Sequence, residues 1–309
     1  MKSSLSVANF RLVLLHPRYW PTWLGLLVLF PVAWLPWQLR RWLGQGIGRL
    51  IYNKNNKRRK IVLTNLQLCF PKMSIGERDQ LAQRALQEYA CALLDYSVLF
   101  FRSRKWLYQQ TIINNQNRID ESLKEGQNIV LLLGHSVWLE FAPLTIGQHY
   151  STYGSYKPFK NAVLDWMIAG SRLKDVEFVI SREEGMIKLV RSLEPGRMLF
   201  FLPDEDHGPK HSTFAPFFNT PKATLTTPAR IAKMSKAVCL PVLAFFDPEQ
   251  GKYCIEIGEA LENFGQHDHA KDASLMNQGF EQLVKKHPEQ YMWQLKLFRT
   301  AEKGSQQPY

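Results

Sequence analysis

Between Arg18 and Arg40 the chain runs 21 positions, Tyr19 to Leu39, without a charged side chain: YWPTWLGLLVLFPVAWLPWQL. As a helix such a stretch reaches about 31 Å, close to the roughly 30 Å hydrocarbon thickness of a bilayer. It must be buried in lipid or in a large core. Pro21, Pro31 and Pro36 argue against a regular helix in a soluble core, because an interior proline removes a backbone hydrogen bond. The stretch ends in Trp-Gln-Leu-Arg-Arg-Trp rather than in small residues, so it reads as retained and not as a cleaved signal peptide. Trp20, Trp23, Trp34, Trp37 and Trp42 gather towards its ends, as interfacial anchors do. The expectation is a membrane anchor over residues 1–45, built on an N-terminal membrane helix, either a kinked span or a segment lying in one leaflet.

The charge distribution supports that reading. The chain carries 39 Lys and Arg against 27 Asp and Glu, and twelve of the basic residues precede the first acidic one, Glu77. Everything beyond is formally neutral, which excludes a uniformly basic globule wrapped by nucleic acid. Three basic residues precede the apolar stretch and eight follow it between Arg40 and Lys60. By the positive-inside rule the larger carboxyl-terminal part is cytoplasmic. The run NKNNKRRK, Asn53 to Lys60, reads either as a solvated face or as a contact for anionic lipid head groups or an acidic partner. Cys69, Cys91, Cys239 and Cys254 form no Cys-x-x-Cys pair, so buried free thiols are expected rather than a disulfide or zinc scaffold.

Ser74 and Glu77 have the spacing of a capping box, and a proline-free stretch to about Phe101 predicts a helix. Residues 46–125 are therefore read as a basic segment and helical neck. From Asn128 short apolar runs alternate with helical stretches. Strands are predicted at Ile129–Leu133, Thr152–Tyr156, Glu177–Ile180, Met198–Leu202, Val238–Phe246 and Tyr253–Ile257. Helices are predicted near Trp138–Gly147, Asn161–Leu173, Glu183–Leu193, Thr224–Ser235 and Ser274–His287. This alternation predicts an α/β catalytic domain over 126–309, a mostly parallel sheet flanked by helices.

In such sheets ligands gather at the carboxyl ends of strands. The run LLLGHSVWLEF places His135 just beyond a strand and Glu140 in the first turns of a helix. A histidine there can take a proton from a hydroxyl while a carboxylate holds the ring. The spacing alone has no weight, since His267 and Asp272 repeat it in a polar loop. A second strand empties into Asp204, Glu205, Asp206, His207, Lys210 and His211. That density suits a divalent metal in a hydrolase, or a phosphate or carbohydrate contact; Gly208-Pro209 breaks the helix that would align His207 with His211. Lys157, Asn161, Arg172 and Arg182 read, from the residues alone, as solvated surface groups. No dinucleotide fingerprint, Walker loop or Gly-x-Ser-x-Gly elbow is present. A noncatalytic membrane adaptor built on the basic segment is the reading of a different class.

Taken in order, the apolar stretch, strand-Gly-His-x4-Glu, Tyr-Lys-Pro-x-x-Asn, Leu-Pro-Asp-Glu-Asp-His-Gly-Pro-Lys, Leu240-Pro241-Val242 and Pro288-Glu289-Gln290-Tyr291-Met292-Trp293 resemble the late acyltransferases of lipid A biosynthesis. These are lauroyl/myristoyl transferases of the wider lysophospholipid acyltransferase superfamily, and another membrane-bound member of that superfamily is the alternative. The resemblance implies a glycerol-3-phosphate acyltransferase-like fold. It also implies a bacterial inner-membrane location with the catalytic domain on the cytoplasmic side, and membrane lipid as a partner. His135 would be the general base and Glu140 its partner. Lys157, Asn161, Arg172, Arg182, Asp204, Asp206 and Lys210 would meet substrate. Acyl carrier protein would be the donor and a lipid A precursor the acceptor, with no cofactor and no metal. Where the family has a His-Arg-Arg-Phe-Lys type ending, this chain has Leu295-Lys296-Leu297-Phe298-Arg299.

Overall fold

The 21-residue uncharged stretch does not form one helix. In the computed structural model, which describes residues 9–181, 184–302, 304 and 306–309, it yields α1 (Trp20–Val32), a turn, and the start of α2 (Trp37–Lys54). Pro36 stands at the cap of α2, where its missing N–H costs nothing but where the residues before it are steered away from helix. With 13 residues α1 is about 20 Å long, and no described helix is long and apolar enough to cross a membrane. The expected N-terminal membrane helix is thus corrected as a span: among the described residues no helix crosses a bilayer. α1 packs beside α4 (Ile75–Phe101) and α8 (Ala162–Arg172), with Trp20, Leu24, Leu27 and Val28 left exposed.

α2 lies tightly on α4 because Gly44 and Gly48 bring the backbones together. A Cβ at Gly48 would sit 2.3 Å from the Cα of Gln87, and one at Gly44 2.6 Å from the Cα of Cys91. Two of the eight basic residues expected to flank a membrane are spent inside this contact. Arg40 is 2% exposed and donates to Asp95 at 2.5 Å, to the Leu35 carbonyl at 2.7 Å and to the Tyr253 hydroxyl at 3.2 Å. Arg41 forks onto both oxygens of Glu88. The run NKNNKRRK forms the corner between α2 and α3 (Asn56–Cys69), where Asn55 caps α3 and Arg58 and Arg59 lie over the rings of Tyr89 and Tyr52. The capping box at the start of α4 is complete, with Glu77 accepting from the Ser74 N–H at 2.7 Å and Ser74 from the Glu77 N–H at 3.2 Å.

After α5 (Arg104–Gln109) come β1 (Thr111–Asn114), α6 (Asn117–Lys124), β2 (Asn128–Leu133), α7 (Phe141–Gly147), β3 (Ser151–Tyr156), then α8. β4 (Phe178–Ser181), α9 (Gly185–Arg191), β5 (Arg197–Phe201) and a hairpin of β6 (Ser212–Phe217) and β7 (Thr220–Leu225) follow. The chain continues through α10 (Thr227–Ser235), β8 (Ala237–Asp247), β9 (Lys252–Ile257) and α11 (His269–Val284). Seven strands form one sheet in the order β1-β9-β8-β2-β5-β3-β4, parallel except where β8 meets β9. All six predicted strands are present; β1 and the hairpin are additions. The β2 side chains alternate between two cores: Val130 and Leu132 pack with Val62 and Leu66 of α3, whereas Ile129 and Leu131 pack with Trp138 and Phe141. The helices of 46–125 thus share cores with the sheet. All four cysteines are buried and free.

The close α2–α4 approach makes a prediction. Gly48→Leu is expected to lose about 1–3 kcal/mol in denaturant unfolding, the usual cost of overpacking. Gly46→Ala, two positions away with open space around it, is expected to hold or raise stability.

Candidate active site

β2 and β5 are parallel neighbours in register, with Leu132 beside Phe201, so both empty at the same edge of the sheet. From β2 the chain passes through Gly134 to His135; from β5 it passes through Leu202 and Pro203 to Asp204. Gly134 is closely packed: a Cβ there would meet the end of the Leu243 side chain at 2.9 Å and the Phe280 ring at 3.1 Å. The two loops meet directly. Asp204 accepts the His135 backbone N–H through Oδ2 at 2.7 Å and holds the ring through Oδ1, 2.5 Å from Nδ1. The other ring nitrogen, Nε2, is 3.2 Å from the Glu205 carboxylate, whose side chain is 35% exposed. His135 and Asp204 are themselves buried, 9% and 2% exposed.

The surroundings fix this pair from several sides. Tyr291 donates its hydroxyl to Asp204 Oδ2 at 2.8 Å, and Lys222, fully buried, donates to the Asp204 carbonyl at 2.7 Å. The chain after α11 clamps the histidine turn, with the Met292 N–H on the His135 carbonyl at 2.8 Å and the Val137 N–H on the Gln290 carbonyl at 2.9 Å. Burial alone would raise the Asp204 carboxyl, but the charge and hydrogen bonds of His135, helped by Lys222, pull it down to about 2. Burial lowers Lys222 and, with the Asp204 charge, pushes Tyr291 up. Asp204 is therefore an ionised acceptor, and Nδ1–H is the proton it holds.

Several expected site residues stand elsewhere. Glu140 is not in a helix but in the turn just before α7. Among the described residues its carboxylate contacts Arg172, through Nε at 2.8 Å and Nη2 at 2.5 Å, and the carboxylate on His135 Nδ1 is Asp204 instead. The expected His135–Glu140 pair is thus replaced, because the turn from Val137 to Glu140 directs Glu140 towards the end of α8 rather than back to the ring. Asn161 caps α8, accepting from the N–H groups of Val163 and Leu164, and ties it to α1 by donating to Thr22 at 2.8 Å. Asp206 is likewise occupied by its own fold: it accepts from Thr300 N–H at 2.5 Å, the Thr300 hydroxyl at 2.7 Å and Gly208 N–H at 2.8 Å. Lys157 and Lys210 are exposed. Arg182 lies outside the described residues. Asp204 and Asp206 aim at different partners, and among the described residues no three His, Cys, Asp or Glu side chains gather as a metal would require.

Lys222 and Tyr291 were not distinguished as site residues by sequence. Lys222 sits in the strand TPKATL like any alternating polar residue; only its complete burial reveals it. Leu202 and His207, which flank Asp204 in sequence, line a largely apolar cavity of about 200 Å³ together with Phe201, Met186, Leu189 and Leu225.

Comparison with known proteins places this arrangement. The family described as "Bacterial lipid A biosynthesis acyltransferase" matches residues 7–300. A lipid A biosynthesis acyltransferase of Haemophilus influenzae is 33% identical over 298 residues, covering 96% of this chain and 93% of its own. The lipid A biosynthesis lauroyltransferase of Escherichia coli is 31% identical, covering 97% and 98%. A solved 1-acyl-sn-glycerophosphate acyltransferase from Thermotoga maritima aligns over 81% of this chain and 95% of its own at 15% identity, with a TM-score of 0.34.

A carboxyl held below its ordinary value of 3.8 stabilises the fold fully above that pH and loses the effect as pH falls towards about 2. The contribution of Asp204 is on the order of 2 kcal/mol. In denaturant unfolding, the gap between the wild type and Asp204→Asn is expected to narrow between about pH 5 and pH 2.

Proposed function

Because the chain belongs to the bacterial lipid A biosynthesis acyltransferases, and is therefore an acyltransferase acting in lipid A acylation, we propose the finer reaction as follows. It moves a fatty acyl group from an acyl carrier protein thioester to a hydroxyl on an acyl chain of a lipid A precursor, with His135 as general base. The observation that carries this reading is the buried His135–Asp204 contact at the mouth of β2 and β5.

With Nδ1–H donated to Asp204, the basic lone pair is on Nε2. The acceptor hydroxyl takes the place Glu205 holds, its oxygen attacks the thioester carbonyl, and its proton passes to Nε2. The C–S bond then breaks and the imidazolium returns the proton to the departing thiolate. Asp204, ionised at every working pH, stabilises the imidazolium between these steps. General-base help of this kind is worth roughly 10²- to 10⁴-fold. Glu140 acts through Arg172, holding the guanidinium at the site edge for the phosphate or sugar of the acceptor. The apolar cavity that Leu202 and His207 line suits part of an acyl chain.

The acceptor is a lipid, and α1 supports attachment to a membrane surface. Its residues Trp20, Leu24, Leu27 and Val28 are each at least 63% exposed on a helix too short to span. We place that surface on the cytoplasmic side of the bacterial inner membrane, with the α/β part in the cytoplasm; basic residues near an interfacial helix support such seating by meeting anionic head groups.

Purified variants test the assignment. His135→Ala is expected to lower acyl transfer to lipid A precursor by about 10²- to 10⁴-fold while leaving a folded protein. Asp204→Asn is expected to fall comparably, mainly in kcat, because the ring loses its tautomer. Glu140→Gln and Arg172→Gln are expected to raise KM for the acceptor, and the double variant to be no worse than the poorer single one. Full activity in His135→Ala would remove the proposed base.

A further inference from the structure

Beneath the turn joining α1 to α2 lies a second cavity, of about 320 Å³, away from His135. Its walls come from that turn (Trp34, Trp37), from the end of α4 and α5 (Arg102, Trp106) and from the β8–β9 turn (Phe246, Gly251). No carboxylate lines it.

Arg102 is the unusual member. The neighbouring arginines are neutralised: Arg40 by Asp95, Arg41 by Glu88, Arg104 by Asp175 at 2.9 Å. Among the described residues the Arg102 side chain makes neither an ion pair nor a hydrogen bond. Its guanidinium lies 4.1 Å over the Trp106 ring and 5.9 Å from that of Trp34. Stacking of this kind fixes the plane of a guanidinium while leaving all five N–H donors to an incoming group. The donors match the oxygens of a phosphate, which a planar fork can hold through two parallel hydrogen bonds. The site also lies where a lipid phosphate would be. Trp34 is 49% exposed at the end of α1, whose outer face continues the apolar surface through Phe30, Leu27 and Leu24.

Resting on the reading that α1 attaches to a membrane surface, we propose that Arg102, stacked between Trp106 and Trp34, is a binding site for the phosphate of an anionic bilayer phospholipid. The α1 face enters the acyl region, the tryptophan rings lie at head-group level, and Arg102 takes the phosphate below the turn. The site is separate from the acyl acceptor site and sets how the enzyme seats on the leaflet.

The test is flotation of the full chain with vesicles of phosphatidylcholine alone or with about 30 mol% phosphatidylglycerol. The wild type is expected to bind both, and the anionic vesicles more tightly. Arg102→Gln is expected to lose about fivefold in affinity for the anionic vesicles, the usual weight of one basic residue at a membrane surface, and less for the neutral ones, whose phosphate is balanced by choline. Arg102→Lys is expected to recover part of the loss, and both variants to keep acyl transfer in detergent. Equal binding of anionic vesicles by wild type and Arg102→Gln would overturn the site while leaving membrane attachment intact. Absence of binding to either vesicle by the wild type would overturn attachment and the site together. A raised KM for the acceptor in detergent, with unchanged vesicle binding, would overturn the proposal and give Arg102 to the acceptor's own phosphate.

Discussion

The register between β2 and β5 is the constraint on which the site depends. Because the two strands are parallel and adjacent, the chain leaves both at one edge, and the first polar residues beyond them, His135 and Asp204, meet across that edge. A one-residue slip would reverse every side chain of the strand and send the histidine turn to another face. The clamp by Gln290 and Met292, the buried Lys222 and the hydroxyl of Tyr291 each hold one atom of this meeting in place. Building it from buried groups allows Asp204 to remain charged in an interior that would otherwise neutralise it.

The amino-terminal part shows a second use of charge. An apolar stretch flanked by basic residues suggested a membrane segment, either a kinked span or one lying in one leaflet, with a cytoplasmic flank. The folded chain divides the stretch at the turn before Pro36, keeping Pro21 and Pro31 within α1, and turns two of the flanking arginines inwards, where Arg40 and Arg41 join α2 to α4 and to Tyr253 of β9. Arg49, Lys54, Lys57 and Lys60 stay exposed, while Arg58 and Arg59 lie partly covered over the rings of Tyr89 and Tyr52. Burial of the paired arginines costs desolvation that only a well-formed set of hydrogen bonds can offset. Arg40 has such a set, with three acceptors.

Much of the sheet was legible in the sequence, because its strands are continuous runs of Val, Ile, Leu and Phe buried on both faces. β1 escaped notice since Thr-Ile-Ile-Asn is short and half-buried, and the hairpin of β6 and β7 because Pro216 and Pro221 argue against strands. His135 and the loop from Asp204 were found from strand ends. Their pairing was not, because contacts between residues 69 apart depend on strand order, which local pattern does not carry. The family pattern His-x4-Glu drew attention to Glu140 by spacing, whereas the ring is held by the carboxylate of another loop. Asn161 and Asp206, expected to meet substrate, instead cap a helix and anchor Thr300, roles that short polar side chains take wherever backbone N–H groups are unpaired.

The central claim is that Asp204, rather than Glu140, sets the proton on the catalytic ring. Nitrogen-15 NMR of histidine-labelled protein reads it directly through the two ring nitrogens of His135. The account predicts a neutral-pH tautomer protonated at Nδ1, lost in Asp204→Asn and retained in Glu140→Gln. A ring protonated at Nε2 alone, or one that changes with Glu140→Gln and not with Asp204→Asn, would contradict it.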